Sequence, residues 1–207
     1  MIKRFSIICI CIASAFSLSA YELQYPSDES ESDLTGHFLH ASVGYGCILS
    51  KVENNWDSGN PKFGLVVNAT YEWIGKKKMG GGFLYKGYFS NKGTYGSYDT
   101  SLGVNYFAPQ FCARFSSGNE KWDFHTSFGL GLVATRDCVG NSKNYDYGVG
   151  YNANFGADYK LSSHFALTGI ISLLSASVKQ EYLGKELSSE ASSLYTLDLT
   201  LGLTYHF

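Results

Sequence analysis

Residues 194–207 form the last stretch of the chain, and their polarity alternates almost residue by residue through LYTLDLTLGLTYHF. One side of an extended strand would carry large apolar side chains: Tyr195, Leu197, Leu199, Leu201, Leu203, Tyr205 and Phe207. The other side would carry mostly small or polar ones: Leu194, Thr196, Asp198, Thr200, Gly202, Thr204 and His206. A period of two predicts a β-strand, and this one is longer than the roughly 5–6 residues typical of soluble proteins.

Similar alternation recurs in seven earlier segments, and no segment shows the period of an amphipathic helix. The predicted strands cover about 36–50, 62–74, 79–90, 98–115, 121–136, 146–160, 164–179 and 194–207. The connections alternate between longer ones (51–61, 91–97, 137–145 and 180–193) and short turns (75–78, 116–120 and 161–163). This pattern is typical of an all-β, eight-stranded antiparallel up-and-down transmembrane β-barrel.

The strand predicted over 98–115 changes phase along its length. Leu102, Val104 and Tyr106 share one face, whereas Phe111 and Phe115 lie on the opposite face. Proline within a strand is usually found at an edge or an irregularity. A β-bulge is therefore predicted at Ala108-Pro109.

The N-terminal 35 residues differ from the rest of the chain. Residues 1–20 contain Lys3 and Arg4, a short apolar run and then small residues, which indicates a secretory signal peptide. Residues 21–35 are acidic and rich in serine, so they are predicted to form a flexible arm. The barrel is predicted to span 36–207.

Composition favours a barrel that faces lipid. Charged residues make up 16% of the chain, below the roughly 25% expected of soluble domains, and aromatic residues make up another 16%. The inner face of the strands is mostly Gly, Ser, Thr and Asn, which are small enough to fill a narrow lumen. Aromatic residues near the strand ends match membrane-interface girdles: Trp73, Trp122, Tyr147, Tyr159, Tyr195 and Tyr205. Eighteen acidic against sixteen basic residues argue against nucleic acid as a partner.

Two motifs extend this interpretation to a family. Thr200, Gly202, Tyr205 and Phe207 resemble the C-terminal assembly signal of bacterial outer-membrane barrels, and residues 156–164 (GADYKLSSH) resemble a turn common in them. The mature chain thus resembles small barrels of the OmpX and OmpA-transmembrane-domain type, in the outer-membrane β-barrel domain family. The resemblance implies an outer-membrane location with extracellular loops and periplasmic termini. It implies contact with outer-membrane lipid and lipopolysaccharide, insertion by the barrel assembly machinery, and an unidentified surface ligand as a further possible partner.

Charged and titratable residues also fall on the predicted inner face. They are Glu72, Lys86, Arg114, Asp123, His125, Asp158, Lys160 and Asp198, together with Asp99 and His206. An unpaired buried charge is very costly, so these residues are expected to pair with one another. Eight strands enclose a lumen just wide enough for side chains, which predicts a polar plug and not an open pore.

No catalytic residue, metal ligand or cofactor site is predicted. His125-Thr126-Ser127 has the spacing of the His-Ser pair in outer-membrane lipid A deacylases, but strand parity turns both side chains into the lumen. The histidines show no metal-ligand spacing. Cys47, Cys112 and Cys138 form no disulfide framework. Two alternatives remain: a Cys47–Cys138 bridge, or free thiols at all three positions.

We therefore expect a non-enzymatic outer-membrane barrel that contributes to envelope integrity or to surface interaction through its loops. The alternatives are a narrow channel for small solutes and a lipid A-modifying enzyme.

Overall fold

A computed structural model describes most of the predicted barrel. It covers residues 34–49, 58–59, 62–95, 97–117, 121–178, 181–182, 185–186 and 192–207. The predicted signal peptide and nearly all of the predicted acidic arm lie outside the described residues, as do most of the connections 51–61 and 180–193.

Eight long strands make up the barrel, each within a few residues of its predicted bounds. They are β1 (Gly36–Ile48), β2 (Phe63–Ile74), β3 (Met79–Ser90), β4 (Tyr98–Ser116), β5 (Trp122–Val139), β6 (Ser142–Lys160), β7 (Phe165–Val178) and β8 (Ser192–His206). Short two- or three-residue strands at 58–59, 93–95, 181–182 and 185–186 add to the connections. The turn end of the barrel is the end at which β2 ends and β3 begins, β4 ends and β5 begins, and β6 ends and β7 begins; the loop end is the opposite one.

Every barrel strand pairs antiparallel with its neighbours in the chain, and β1 pairs with β8, which closes the barrel. One circuit of the register runs through Phe38, Glu72, Gly82, Gln110, Gly129, Asn152, Leu174 and Thr196 and returns to Ile48. The strands are therefore staggered by ten residues per circuit. At about 3.3 Å per residue and about 4.8 Å between strands, this stagger tilts them by about 40°.

Large apolar side chains cover the outside of the barrel. Each strand from β1 to β8 contributes to this belt: Leu39, Leu65, Phe83, Phe107, Leu130, Phe155, Ile171 and Leu201 are all exposed. Exposing a continuous apolar belt to water is unfavourable, whereas contact with lipid acyl chains stabilises it. No helix among the described residues is long and apolar enough to cross a membrane.

The predicted bulge at Ala108-Pro109 is wrong. The pairing of β4 with β3 keeps one register through Phe83↔Pro109, and its pairing with β5 resumes in the same register on both sides of that dipeptide. Val104 and Tyr106 point into the lumen, where they are buried, so the strand never changes phase. The error came from assuming that large apolar residues always face outward.

The lumen therefore contains an apolar section as well as a polar one. Buried residues near the loop end form one cluster: Ile48, Val66, Leu84, Tyr88, Val104, Tyr106, Ala108, Val133, Leu174, Ala176, Val178 and Leu194. The prediction of a wholly polar plug is therefore wrong. A lumen side chain must be polar only where it pairs with a charge, and elsewhere it needs only to fill the space.

The predicted polar loop 137–145 is also wrong. β5 continues to Val139 and β6 begins at Ser142, so the two strands form a hairpin with a tight turn at Gly140 and Asn141. Gly140 has a φ of +56°, in the left-handed region that glycine adopts readily. The polar residues of this segment form strands because cross-strand backbone hydrogen bonds do not depend on an apolar face.

Candidate functional site in the barrel lumen

The structure places nine of the ten predicted inner residues on the lumen side, with His206 partly buried against the Phe38 ring at the turn end. Glu72, Lys86, Arg114, Asp123, His125, Asp158 and Asp198 are all buried, and Lys160 is partly exposed at the turn end. Asp99 differs because it lies exposed near the start of β4. It lies next to the inward-facing Thr100, so the parity of the strand directs it outward.

Lys86 and Asp198 form an ion pair in the middle of the lumen. Lys86 Nζ lies 2.5 Å from Asp198 Oδ2, and the two side chains are 1% and 0% exposed. Lys86 also donates to Ser172 Oγ, and Thr196 Oγ1 donates to Asp198 Oδ1 at 3.1 Å. The pair therefore links β3 to β8 across the lumen.

A second group of charges, the Arg114 cluster, comprises His40, Glu72, Arg114, His125 and Asp158 and lies nearer the turn end. Arg114 donates from Nη2 to Asp158 Oδ2 at 2.7 Å and from Nε to Glu72 Oε2 at 3.3 Å. Its guanidinium carbon also lies 3.8 Å from the centre of the Phe38 ring. One guanidinium therefore holds two carboxylates, each through one oxygen, and leaves Glu72 Oε1 and Asp158 Oδ1 directed elsewhere.

Two imidazoles complete the Arg114 cluster. The rings of His40 and His125 stack with centroids 4.8 Å apart and planes 19° apart. His40 Nδ1 is 2.6 Å from Thr204 Oγ1, whereas neither ring nitrogen of His125 has a hydrogen-bond partner among the described residues. The sequence pattern did not bring His40 together with His125, because the two lie on strands separated by half of the barrel.

His125 fits only because its neighbour on β6 is a glycine. His125 pairs with Gly156, and a Cβ atom at Gly156 would lie 2.0 Å from His125 Nε2. A residue with any side chain at that position would displace the imidazole. Gly156 lies in the GADYKLSSH motif, so that motif supports the lumen packing as well as the turn.

The turn end of the lumen is narrowed by an apolar group and an ion pair. Phe38, Ile74 and Cys112 are buried together. Beside them Lys160 Nζ lies 3.0 Å from Asp123 Oδ2, and the Lys160 side chain is 29% exposed. The second carboxylate oxygen of Asp123 has no hydrogen-bond partner among the described residues. The Asp123–Lys160 pair thus lies nearer the turn end than the Arg114 cluster, and Lys160 is partly exposed there.

The His125-Thr126-Ser127 segment does not form a base and nucleophile. His125 and Ser127 are both buried in the lumen, and Ser127 Oγ accepts a hydrogen bond from Asn154 Nδ2 at 3.0 Å. No hydrogen bond joins His125 to Ser127 among the described residues. Cys47, Cys112 and Cys138 are all free thiols, which leaves the Cys47–Cys138 bridge unformed.

The predicted interface aromatics all lie on the outer face. Trp73, Trp122, Tyr159 and Tyr205 lie near the turn end, and Tyr147 and Tyr195 lie near the loop end. Among the predicted assembly residues, Thr200 is buried in the lumen and Phe207 is exposed. A Cβ atom at Gly202 would lie 2.0 Å from the carbonyl oxygen of Ala41, so glycine allows β8 to approach β1 closely where the barrel closes.

Comparisons with known proteins identify the fold. No protein-family model matches the chain, and no curated protein matches it either. The crystal structure of Neisserial surface protein A is similar with a TM-score of 0.61 and 15% identity, covering 84% of this chain and 98% of that one. Ail, the attachment invasion locus protein of Yersinia pestis, is similar with a TM-score of 0.52 and 12% identity, covering 84% and 100%. A major outer membrane protein from Thermus thermophilus has a TM-score of 0.50 and 12% identity, covering 82% and 99%.

These structures are outer-membrane barrels, and the eight strands of this chain, their antiparallel order and the closing pair β1–β8 match that fold. The apolar outer belt indicates a barrel that faces lipid. The chain therefore has the fold of the small eight-stranded outer-membrane β-barrels, as its sequence predicted.

Proposed function

We propose that this protein is a non-enzymatic, closed outer-membrane barrel that contributes to envelope integrity or to surface interaction through its loop end. In this proposal the termini are periplasmic and the loop end is extracellular. The observation that carries it is a lumen filled along its length by side chains: the Arg114 cluster near the turn end, the Lys86–Asp198 pair in the middle and the apolar cluster near the loop end.

The apolar cluster supports a closed barrel over a narrow channel. Tyr88 and Tyr106 are 1% and 0% exposed, so both large rings are packed inside the lumen. The Tyr106 hydroxyl donates to the backbone carbonyl of Gly129 at 2.9 Å and also lies 3.4 Å from that of Gly150. A solute path would have to displace these rings and expose the ion pairs beneath them, which is costly.

The length of three strands supports a role for the loop end. β4, β5 and β6 have 19, 18 and 19 residues, whereas β1, β2 and β3 have 13, 12 and 12. The additional residues continue the β5–β6 hairpin beyond Gly148, the last β6 residue that pairs with β7. Tyr145 in this hairpin and Tyr98 at the start of β4, which pairs with β5, are exposed and offer the aromatic side chains common at recognition surfaces.

Two measurements test the proposal. Purified protein in planar bilayers is expected to give no stable conductance steps, whereas replacing Tyr106 with Ala should produce openings if that ring closes the lumen. Reproducible steps from the wild-type protein would instead support the channel alternative. Lipid A mass spectra are expected to be the same in deletion, wild-type and overexpressing strains, and a changed spectrum would support the enzyme.

A shortened hairpin separates the two proposed roles. In this variant residues 137–144 are replaced by a two-residue turn, which leaves the closed part of the barrel intact. If the protein acts through surface interaction, cell adhesion should fall to the level of the deletion strain. If it acts through envelope integrity, the variant should restore detergent resistance to the deletion strain. Both roles would be contradicted if the variant adheres as the wild type does and the deletion strain shows no change in adhesion or detergent resistance.

A further inference from the structure

We propose that His40, His125 and Asp158 form a binding site for a divalent transition-metal ion such as Zn²⁺ in the lumen. One donor atom from each residue lies within 4.8 Å of the other two, and all three side chains are buried. The residues come from β1, β5 and β6, so the closed barrel assembles a set that no short sequence motif contains. Two imidazoles and a carboxylate are donors typical of Zn²⁺ and related ions.

His125 provides the first independent observation that a ligand belongs here. Its side chain is 3% exposed, yet both ring nitrogens have no hydrogen-bond partner among the described residues. Buried polar groups almost always have a partner, because a buried donor or acceptor without one loses its hydration and gains nothing in return. The close fit of the ring against Gly156 holds the imidazole in this position.

Distances provide the second observation. His125 Nε2 lies 3.7 Å from Asp158 Oδ1, which is too long for a hydrogen bond. An ion bound at about 2.1 Å from both atoms would subtend an angle of about 120° between them, close to the geometry that Zn²⁺ accepts. His40 Nε2 completes the set after a shift on the order of 1 Å.

The surrounding groups already have the arrangement that supports metal ligands. His40 Nδ1 is bonded to Thr204 Oγ1 at 2.6 Å, which leaves Nε2 as the coordinating nitrogen. Thr168 Oγ1 donates to Asp158 Oδ1 at 2.6 Å, while Arg114 binds the other oxygen of that carboxylate. On binding the ion, His40 Nε2 would give up its contacts with Arg114 Nη2 at 3.2 Å and Glu72 Oε2 at 3.3 Å, while Arg114 keeps its bond to Asp158 Oδ2.

Charge and donor type select the ion. With neutral imidazoles, the carboxylates of Glu72 and Asp158 and the guanidinium of Arg114 leave one net negative charge, which favours a cation. Ca²⁺ and Mg²⁺ require mostly oxygen ligands, and the imidazole nitrogens do not suit them.

The test uses the untagged mature protein, refolded in detergent and freed of metal with a chelator. We expect saturable uptake of one equivalent of Zn²⁺, a Co²⁺ visible spectrum typical of nitrogen and oxygen ligands, and greater resistance to urea with Zn²⁺ present. His125→Asn and Asp158→Asn should each weaken Zn²⁺ binding at least ~10-fold. His164→Asn, which changes an exposed turn histidine, is the matched control and should bind as wild type does.

Heat-dependent gel mobility shows whether each variant folds, and comparison is made only between folded variants. If His125→Asn does not fold, Asp158→Asn and the wild-type Co²⁺ spectrum still decide the question. The proposal is overturned if the folded wild-type protein takes up no stoichiometric Zn²⁺. It is equally overturned if uptake persists unchanged in His125→Asn, or if His164→Asn reduces it as much.

Discussion

The Lys86–Asp198 pair tests whether the lumen is as dry as its packing implies. Lys86→Met leaves the Asp198 carboxylate with the Thr196 hydroxyl as its remaining hydrogen-bond donor among the described residues. Removing one partner of a buried ion pair costs about 3–5 kcal/mol, because the other charge stays in a medium of low polarity. We expect Lys86→Met to lower the free energy of unfolding by that amount.

The double variant separates the cost of an unpaired charge from the loss of packing. Lys86→Met combined with Asp198→Asn removes both charges and keeps the volumes similar, while the Asn oxygen still accepts from Thr196. Neutral replacement of both partners is often close to neutral in stability, so we expect a cost of at most about 2 kcal/mol. The double variant should therefore be more stable than Lys86→Met alone.

The assay is equilibrium unfolding in urea of the untagged protein in phospholipid vesicles. Unfolding is followed by the fluorescence of the three tryptophans and checked by gel mobility. Lys92→Met, which changes an exposed lysine, is the control and should alter stability by no more than about 0.5 kcal/mol. A cost below about 1 kcal/mol for Lys86→Met would match an exposed pair. That result would refute a dry lumen and remove the main support for the closed barrel.

Three further predictions use other parts of the molecule. Gly156→Ala should cost about 1–3 kcal/mol in the same urea assay because its Cβ meets the His125 ring, and adding His125→Ala should restore much of that loss. Deletion of Phe207 should reduce the amount of folded barrel in outer-membrane fractions on unheated gels, and normal insertion would contradict its role in assembly. At the loop end, beyond the interface residue Tyr147, burial and the nearby Asp146 raise the pKa of Asp137 from 3.8 to about 6. The charged form is therefore disfavoured in the folded hairpin, which should gain stability as the pH falls from about 6 to about 4. Hydrogen exchange of residues 134–147, corrected for intrinsic rates, should show this gain in wild type and not in Asp137→Asn.

Strand positions and facing were predictable because they depend on local alternation. The bounds of β3 were predicted to the residue, and β8 differs from its prediction by two residues at its start and one at its end. Parity also placed the side chains of Lys86, Arg114 and Asp158 in the lumen. A period of two is a property of neighbouring residues, and lipid on one side selects apolar side chains for alternate positions.

Parity failed where the lumen is apolar. Tyr106 was assigned to the lipid face because it is large and apolar, and the bulge at Pro109 was introduced to reconcile it with Phe111. In the structure Tyr106 fills the lumen, and Phe107 and Phe111 face outward. Hydrophobicity alone does not distinguish a lipid-facing side chain from one that packs in a closed barrel.

The sequence by itself determined an eight-stranded barrel, its lipid-facing belt and an inner face that carries charges. Only the tertiary structure decided which inner side chains meet. His40 on β1 and His125 on β5 stack because closure with a stagger of ten residues brings opposite strands to the same level. The same closure places Asp158 beside the two histidines. It also sets Gly156 opposite His125, where the missing side chain leaves room for the His125 ring. Such contacts depend on register summed around the whole barrel, which no local pattern encodes.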